Sequence, residues 1–266
     1  MDAKVLTLQG SQKETIPLPE AFGEQVREDL IRRAVLAENT LKLQPKGHYP
    51  LAGMQTTARY YGAMSSYRSG RHMGIAIRPR QKLGGGIQGA VRRIPSSVKG
   101  KRAHPHVIEK TLIERINQKE YQKAIRCAIS ATVRPEMVKM KHIFENPLPL
   151  VLSNDLESVK KTKDLTKIIS ALKLNADLEK SKDPQRRKGL RRLTKRRHFR
   201  KSLLFVVHDD KGLVKAARNI PGVDACTLTD LTAGLLAPGG NPGRITVWSE
   251  AAVKNLNEAL QKYALM

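Results

Sequence analysis

Three groups of carboxylates stand at the ends of apolar runs: Asn154-Asp155, His208-Asp209-Asp210 and Thr229-Asp230. In open parallel sheets chemistry gathers at the carboxyl ends of strands. Paired carboxylates there could hold a metal ion for a nuclease or phosphatase reaction. The simpler reading is that Asp155, Asp210 and Asp230 cap or begin the helices that follow, because no His or Cys cluster joins them. A second candidate, Gly84-Gly85-Gly86-Ile87-Gln88-Gly89, has the spacing of a dinucleotide fingerprint. That fingerprint works only between a buried strand and a helix whose N-terminus faces the pyrophosphate. Arg78-Pro79-Arg80-Gln81-Lys82 precedes it and Pro95 follows closely, which leaves no room for the helix. Ala90 also stands where a phosphate-binding loop would need Lys. No catalytic residue, cofactor or metal is therefore expected.

A different chemistry is carried by Asn39 to Ile108, a run of seventy residues with no Asp or Glu. It holds thirteen bases: Lys42, Lys46, Arg59, Arg68, Arg71, Arg78, Arg80, Lys82, Arg92, Arg93, Lys99, Lys101 and Arg102. Arg outnumbers Lys by eight to five, and a guanidinium fork matches a phosphate bidentately. Tyr60, Tyr61 and Tyr67 lie beside Arg59 and Arg68, and stacking an unpaired base on such a ring contributes roughly 1–3 kcal/mol. The alternative is that one or two of these tyrosines pack against the protein body. His104 and His106 flank Pro105 with no third ligand nearby, so they are read as loop side chains that pack or bond to RNA. Ten glycines and five prolines break the run and no long apolar period crosses it. Ordering its backbone costs on the order of 100 kcal/mol, at roughly 1–2 kcal/mol per residue. A loop of this length is disordered or is ordered by something else, and its charge points to a polyanion.

The whole chain of 266 residues carries a formal net charge of +25. The acid-free run contributes +13 and Lys180 to Lys201 contributes +11, so the remaining residues are near neutral. The charge is concentrated in two appendages on an otherwise balanced body, a pattern that favours nucleic acid over membrane. No apolar run approaches eighteen residues, and Met1-Asp2-Ala3-Lys4 does not begin a signal peptide. Cys127 and Cys226 lie far apart in apolar surroundings, which predicts buried reduced thiols and a reducing cytoplasm.

The elements that must carry these segments follow from apolar period. Val5 to Leu8 predicts a short strand, followed by a Gly10-Ser11 turn. From Phe22 the period is helical through Val26, Leu30, Ala34 and Val35 until Pro45 and Gly47. Regular structure resumes near Val107, with one apolar stripe through Ile108, Leu112, Ile113 and Ile116 and another through Tyr121, Ile125, Ala128 and Ile129. Leu148 to Leu152 and Leu203 to Val207 read as buried strands, with an amphipathic helix over Thr166 to Leu174 between them. A helix over Leu213 to Asn219, strands over Val223 to Leu228 and Ile245 to Trp248, and a closing helix capped by Ser249 complete the chain. That helix buries Val253, Leu256, Leu260 and Tyr263. Strands apolar throughout and alternating with helices predict an α/β fold, a mostly parallel sheet flanked by helices with a long irregular basic loop. The expected organisation is a single α/β globular domain over 1–266, with an RNA-threading loop at 44–106 and a basic segment at 180–201.

Three stretches closely resemble one family: Arg27-Glu28-Asp29-Leu30-Ile31-Arg32-Arg33-Ala34-Val35, Gly100-Lys101-Arg102-Ala103-His104-Pro105, and Leu236-Ala237-Pro238-Gly239-Gly240 running to Gly243-Arg244-Ile245-Thr246-Val247-Trp248. The family is the universal large-subunit ribosomal protein L four, in its archaeal and eukaryotic branch with an archaeal chain length. The resemblance covers essentially the whole chain. It implies an α/β domain on the outside of the large subunit and a loop passing inward through ribosomal RNA to the wall of the nascent-peptide exit tunnel. The implied partners are large-subunit rRNA, neighbouring large-subunit proteins and the nascent peptide, with one copy per cytoplasmic ribosome and no membrane. The loop tip would comprise Gly70, Arg71, His72, Met73, Gly74, Arg78 and Arg80. Arg92, Arg93, Lys99, Lys101 and Arg102 would line the returning arm. Lys46, Arg59, Tyr60, Tyr61, Tyr67, Arg68, Lys82 and His104 complete the expected rRNA contacts in the loop. Arg186, Arg187, Arg191, Arg192, Lys195, Arg196 and Arg197 supply them in the second segment.

Two rivals are a nucleic-acid-processing enzyme that uses the strand-end carboxylates and a general DNA-compacting protein. Replacing Asp209 and Asp210 together would cost the first its turnover while RNA binding stays, and the second would bind duplex DNA as tightly as rRNA. An extended arm of about thirty-five residues reaches at most on the order of 100 Å, enough to cross a subunit's RNA shell. Limited proteolysis of the free chain is expected to cut between about Leu43 and His106 while the rest resists. A protease-resistant loop without RNA would count against the threading reading.

Overall fold

The computed structural model describes residues 2–65, 73–183 and 199–262. The chain divides into two units, Met1–Lys42 with Ile113–Met266, and Leu43–Leu112. In chain order the elements are β1 (Asp2–Leu6), β2 (Gln12–Pro17), α1 (Glu28–Leu41), β3 (Arg80–Lys82), β4 (Gln88–Val91), α2 (Gln118–Val133) and α3 (Pro135–Lys139). They continue with β5 (Leu150–Leu152), α4 (Thr162–Ala171), α5 (Asn175–Lys182), β6 (Leu204–Val207), α6 (Leu213–Arg218), β7 (Asp224–Thr227), α7 (Ala233–Leu236), β8 (Thr246–Ser249), α8 (Glu250–Lys254) and α9 (Leu256–Lys262).

In the first unit six strands form one sheet in the order β2-β1-β5-β8-β6-β7. Only the β1–β2 pair is antiparallel; β1–β5, β5–β8, β8–β6 and β6–β7 are parallel. The fold is thus α/β with helices on both faces, as the strand–helix alternation predicts. Two buried clusters follow from strand alternation. Val5, Val151, Leu204, Val206 and Trp248 point to one face and pack with Ile31, Ala34, Ile125 and Ile129 of α1 and α2. Leu150, Leu152, Phe205, Val207 and Val247 point to the other and meet Leu165, Ile169, Leu213 and Ala217 of α4 and α6. Such strands must be apolar on both sides, which is why β5 and β6 read as unbroken hydrophobic runs.

The boundaries shift where local pattern and packing disagree. The predicted Val5–Leu8 strand lies two to three residues earlier, and its hairpin partner β2 is an unpredicted strand. Four of the six β2 residues are exposed before the buried Ile16, so the strand shows almost no apolar signal. Phe22 belongs to a 3-10 turn over Glu20–Gly23 rather than to α1, and its ring meets Trp248 edge-on at 5.4 Å. The stripe predicted through Ile108 to Ile116 is not helical: Ile108 is 65% and Ile113 48% exposed, and α2 starts only at Gln118. Helix α4 starts at Thr162 and ends at Ala171, and α5 follows without having been predicted. The closing helix is broken at Asn255 into α8 and α9; Ser249 caps it, its Oγ accepting from the Ala252 amide at 3.1 Å. Tyr263 lies outside the described residues.

One buried cation ties the parallel strands together at their starts. The Arg244 side chain, 1% exposed, donates through Nε to the Ser202 carbonyl (3.0 Å) and through Nη1 to the Leu235 carbonyl (2.8 Å). Its Nη2 reaches the Leu203 carbonyl (2.8 Å) and the Asp224 carboxylate (2.7 Å). Burial lowers the Arg244 pKa from its ordinary value, opposed by Asp224. Burial pushes the Asp224 carboxyl up, but the Arg244 and Lys201 charges outweigh it and hold it below the usual carboxylate range. Burial also pushes the Cys226 thiol up to about 12, and it raises the Cys127 thiol, so both stay protonated at neutral pH. Removing Arg244 strips the buried Ser202, Leu235 and Leu203 carbonyls of a donor and leaves Asp224 with Lys201 alone. Arg244→Met is expected to destabilise the first unit by about 3–5 kcal/mol, seen as a lower urea midpoint at unchanged slope. A midpoint like that of the parent chain would show that Arg244 is not the tie.

Candidate nucleic-acid interface

The unit of residues 43–112, whose one acid is Glu109, shows how a nearly acid-free chain holds a shape. Strands β3 and β4 pair antiparallel, with Arg80 opposite Val91 and Lys82 opposite Gln88. Gly84–Gly86 form the tight turn between them, with Gly85 at φ +70, and the Leu83 amide donates to the Ile87 carbonyl at 3.0 Å. The glycines that resemble a dinucleotide fingerprint are therefore a hairpin turn, and the left-handed residue explains why glycine stands there. Arg59 bridges to Arg80 through two backbone hydrogen bonds of 3.1 and 3.2 Å.

Backbone carbonyls take the place of carboxylates as partners for the guanidinium groups. Arg92 Nη1 donates to the Val98 carbonyl at 2.6 Å, and Arg93 Nη1 to the Ala58 carbonyl at 3.3 Å. Arg93 and Lys99 hold positive φ values of 70 and 57, conformations that side chains rarely adopt. The chain also crosses itself closely. A Cβ on Gly100 would lie 1.9 Å from the Ile94 carbonyl oxygen, and one on Gly53 would lie 2.3 Å from the Gly100 oxygen. The Gly100-Lys101-Arg102 run is held at that crossing, with both basic side chains outward.

Few apolar groups support this shape. Among the described residues Ala58 is the one fully buried hydrophobic side chain between Leu43 and Leu112, while Tyr49, Met64, Ile77, Ile87 and Val98 are exposed. Lys46, Arg59, Tyr60, Tyr61, Arg78, Lys82, Lys99, Lys101, Arg102 and His104 are exposed, as are Met73 and Gly74; Arg80, Arg92 and Arg93 are half-buried. Lys82 Nζ lies 5.6 Å from the centre of the Tyr61 ring, so this tyrosine is engaged by a base. Among the described residues no base of this unit forms an ion pair with a carboxylate. The unit thus presents uncompensated cations beside exposed aromatic rings, a surface suited to phosphate and unpaired bases. Tyr67, Arg68, Gly70, Arg71 and His72 lie outside the described residues, as do Arg186, Arg187, Arg191, Arg192, Lys195, Arg196 and Arg197.

The strand-end carboxylates hold the fold. Asp210 Oδ1 accepts from the Gly212 amide (2.9 Å) and the Val214 amide (3.2 Å), capping α6. Asp155 accepts from the Ser153 hydroxyl at 3.0 Å inside a 3-10 turn. Asp230 accepts from the Thr227 hydroxyl at 2.7 Å but does not cap α7; Thr232 does. Among the described residues no group of three His, Cys, Asp or Glu could hold a metal ion. A buried Ser202–Asp177–His142 cluster escaped the sequence reading, its members being far apart in the chain. His142 Nδ1 and the Ser202 hydroxyl both bond the same Asp177 oxygen, so the imidazole does not address the serine and the three do not form a Ser–His–Asp relay. Burial raises the Asp177 carboxyl, yet His142 and Ser202 hold it below its usual range.

Comparison with known proteins fits a chain built to bind rather than to catalyse. The model of the ribosomal protein L4/L1 family matches residues 16–259. The large ribosomal subunit protein uL4 of Archaeoglobus fulgidus is 46% identical over 266 residues, 98% of this chain and 100% of that protein. The uL4 of Methanoculleus marisnigri is 41% identical, covering 97% of this chain and 99% of that protein, and that of Methanocaldococcus jannaschii is 39% identical, covering 98% and 100%. On this evidence the chain belongs to the ribosomal protein L4/L1 family, whose members are ribosomal structural proteins and not enzymes.

Proposed function

We propose that the chain is a structural constituent of the large ribosomal subunit that binds rRNA, aids subunit assembly and sends residues 44–106 to line the nascent-peptide exit tunnel. The observation that carries this reading is the unit of residues 43–112. Among the described residues it has one fully buried apolar side chain and no carboxylate partner for any of its bases. Its shape rests on a short hairpin, backbone bonds and arginine–carbonyl contacts instead of an apolar core, and a phosphate scaffold supplies the missing counter-charge and packing. Neighbouring large-subunit proteins and the emerging peptide are its other partners, one copy serves each ribosome, and the place of action is the cytoplasm. The tip, Gly70 to Arg80, meets the tunnel, while Lys46, Lys99, Lys101 and Arg102 neutralise phosphate along the arms. The basic segment 180–201 is a second thread into rRNA.

Each phosphate neutralised releases counterions, so the salt dependence of affinity counts contacts. Lys46, Lys101 and Arg102 are exposed and carry no internal structure. Replacing all three by Gln is expected to flatten the plot of log affinity against log salt by about 2 for a single-stranded rRNA fragment, at roughly 0.7 per contact. An unchanged slope would remove the loop from the RNA interface. Duplex DNA bound as tightly as rRNA in the same assay would favour a DNA-compacting role instead.

A further inference from the structure

A second cationic site lies in the first unit. A cavity of about 370 Å³ opens among Lys141, His142, Arg200, Lys201, Asn241 and Arg244. Arg200 and Lys201 precede β6, and Asn241 and Arg244 precede β8, so the cavity sits at the amino ends of parallel strands. Pro238 and Asn241 complete the lining from a turn in which Gly239, Gly240 and Gly243 all have positive φ, and a Cβ on Gly243 would lie 2.7 Å from the Met137 carbonyl oxygen.

The charges around it do not balance. Asp224 is shared, its Oδ1 bonding Lys201 and its Oδ2 bonding Arg244, both at 2.7 Å. Asp177 is taken by His142 and Ser202 behind the cavity wall, and Glu28, whose charge reaches Lys141, is bonded to Arg32 at 2.9 Å. Lys141 and Arg200 are left with no carboxylate partner among the described residues. The Lys141 ammonium donates to the Pro242 carbonyl at 2.6 Å, a neutral group. Burial, and the like charge of Arg200, hold its pKa below the ordinary lysine value, with Glu28 opposing. Nor can the chain just before Phe199 supply the missing charge: residues 184–198 contain eight Lys or Arg and no acid. Two adjacent half-buried cations, with an exposed amide at Asn241, lack an anion.

We infer that this cavity is a phosphate-binding site, in which Lys141 and Arg200 clamp one phosphate group. It rests on the reading of the chain as an RNA-binding protein and makes the globular unit, as well as the loop, a point of attachment. The phosphate source that fits the surroundings is an RNA backbone. A second hollow of about 410 Å³ shares Lys201, Pro238 and Arg244 with the first and extends to Lys42. A free inorganic anion would need only one of the two hollows.

The test compares the full chain with Lys141→Gln/Arg200→Gln, and with Arg200→Gln alone, because Lys141 also holds Pro242 whereas Arg200 has no hydrogen-bond partner among the described residues. The expected result with a single-stranded rRNA fragment is a salt slope flatter by about 0.7 in the double variant, because one phosphate contact is lost, and flatter by up to that much in the single one, with Arg200→Lys restoring it. Inorganic phosphate at millimolar concentration then leaves the melting midpoint unmoved. If instead phosphate raises the midpoint saturably in the parent and not in Arg200→Gln, while the RNA slope stays unchanged, the site takes a free anion. No change in either measurement for Arg200→Gln overturns the site. A parent chain that binds no RNA at all would sink the functional reading, and the phosphate arm would still decide the cavity.

Discussion

Like charges brought close together repel, and the chain from Asn39 to Ile108 has thirteen bases with no acid to relieve them. The repulsion is spread by distance and by water, so a segment of this kind stays open and exposed unless a counter-charge arrives. That constraint explains features that would look like poor packing in an ordinary domain. Tyr49, Tyr60, Tyr61, Met64 and Met73 stay outside, arginines satisfy themselves on the carbonyls of Val98 and Ala58, and a short hairpin with a glycine turn supplies the regular structure. Burying more apolar surface would draw the bases together and raise the cost.

The first unit handles ionic groups in the opposite way, by giving Arg244, Glu38, Glu157 and Asp177 several partners each. Glu38 sits beneath α7, where its carboxylate accepts from the Tyr121 hydroxyl (2.8 Å) and from the amides of Ala233 (2.7 Å) and Gly234 (2.8 Å). Glycine is needed at 234 because a Cβ would come within 2.6 Å of that carboxylate. Glu157 accepts from the His208 amide and the Ser249 hydroxyl, tying the end of β6 to the end of β8. Together with Arg244, these groups fix the strand order by polar bonds that an apolar core alone would leave unspecified.

How much of this was legible in the sequence follows from how local each signal is. Strands β5, β6 and β8 are buried on both faces, so composition alone reveals them. The exposed edge strand β2 has no such mark, and neither does the hairpin β3–β4, whose pairing is set by a glycine turn inside a basic run. The stripe from Ile108 to Ile116 misled because helical spacing is only one condition for a helix; its residues also need a surface to cover, and Ile108 and Ile113 have none. The loop bases were readable because a run without acids needs no structure to be seen. The cavity around Lys141 and Arg200 was not, since its members come from three distant stretches. One clue was present: Arg244 opens the apolar run Ile245 to Trp248, and Asp224 opens the neighbouring β7, so a buried pair at the strand starts was available to be inferred.

The position of that pair gives the sheet a polarity. Parallel strands share one amino end and one carboxyl end. The carboxylates that suggest enzyme chemistry, Asp155, Asp209, Asp210 and Asp230, follow β5, β6 and β7 at the carboxyl end, where they bond to hydroxyls and helix amides or remain in solvent. The cations Arg200, Lys201 and Arg244 precede β6 and β8 at the amino end. Lys42, from which the acid-free run departs, and Lys201, at which the second basic segment ends, line the same hollow with Arg244. Lys42 and Lys201 therefore lie at the end of the sheet opposite to the one where α/β enzymes place their reacting groups. The same α/β architecture that elsewhere presents a catalytic edge gathers its buried and half-buried cations here at the other edge, and a fold-level analogy to enzymes draws attention only to the acidic end of the sheet.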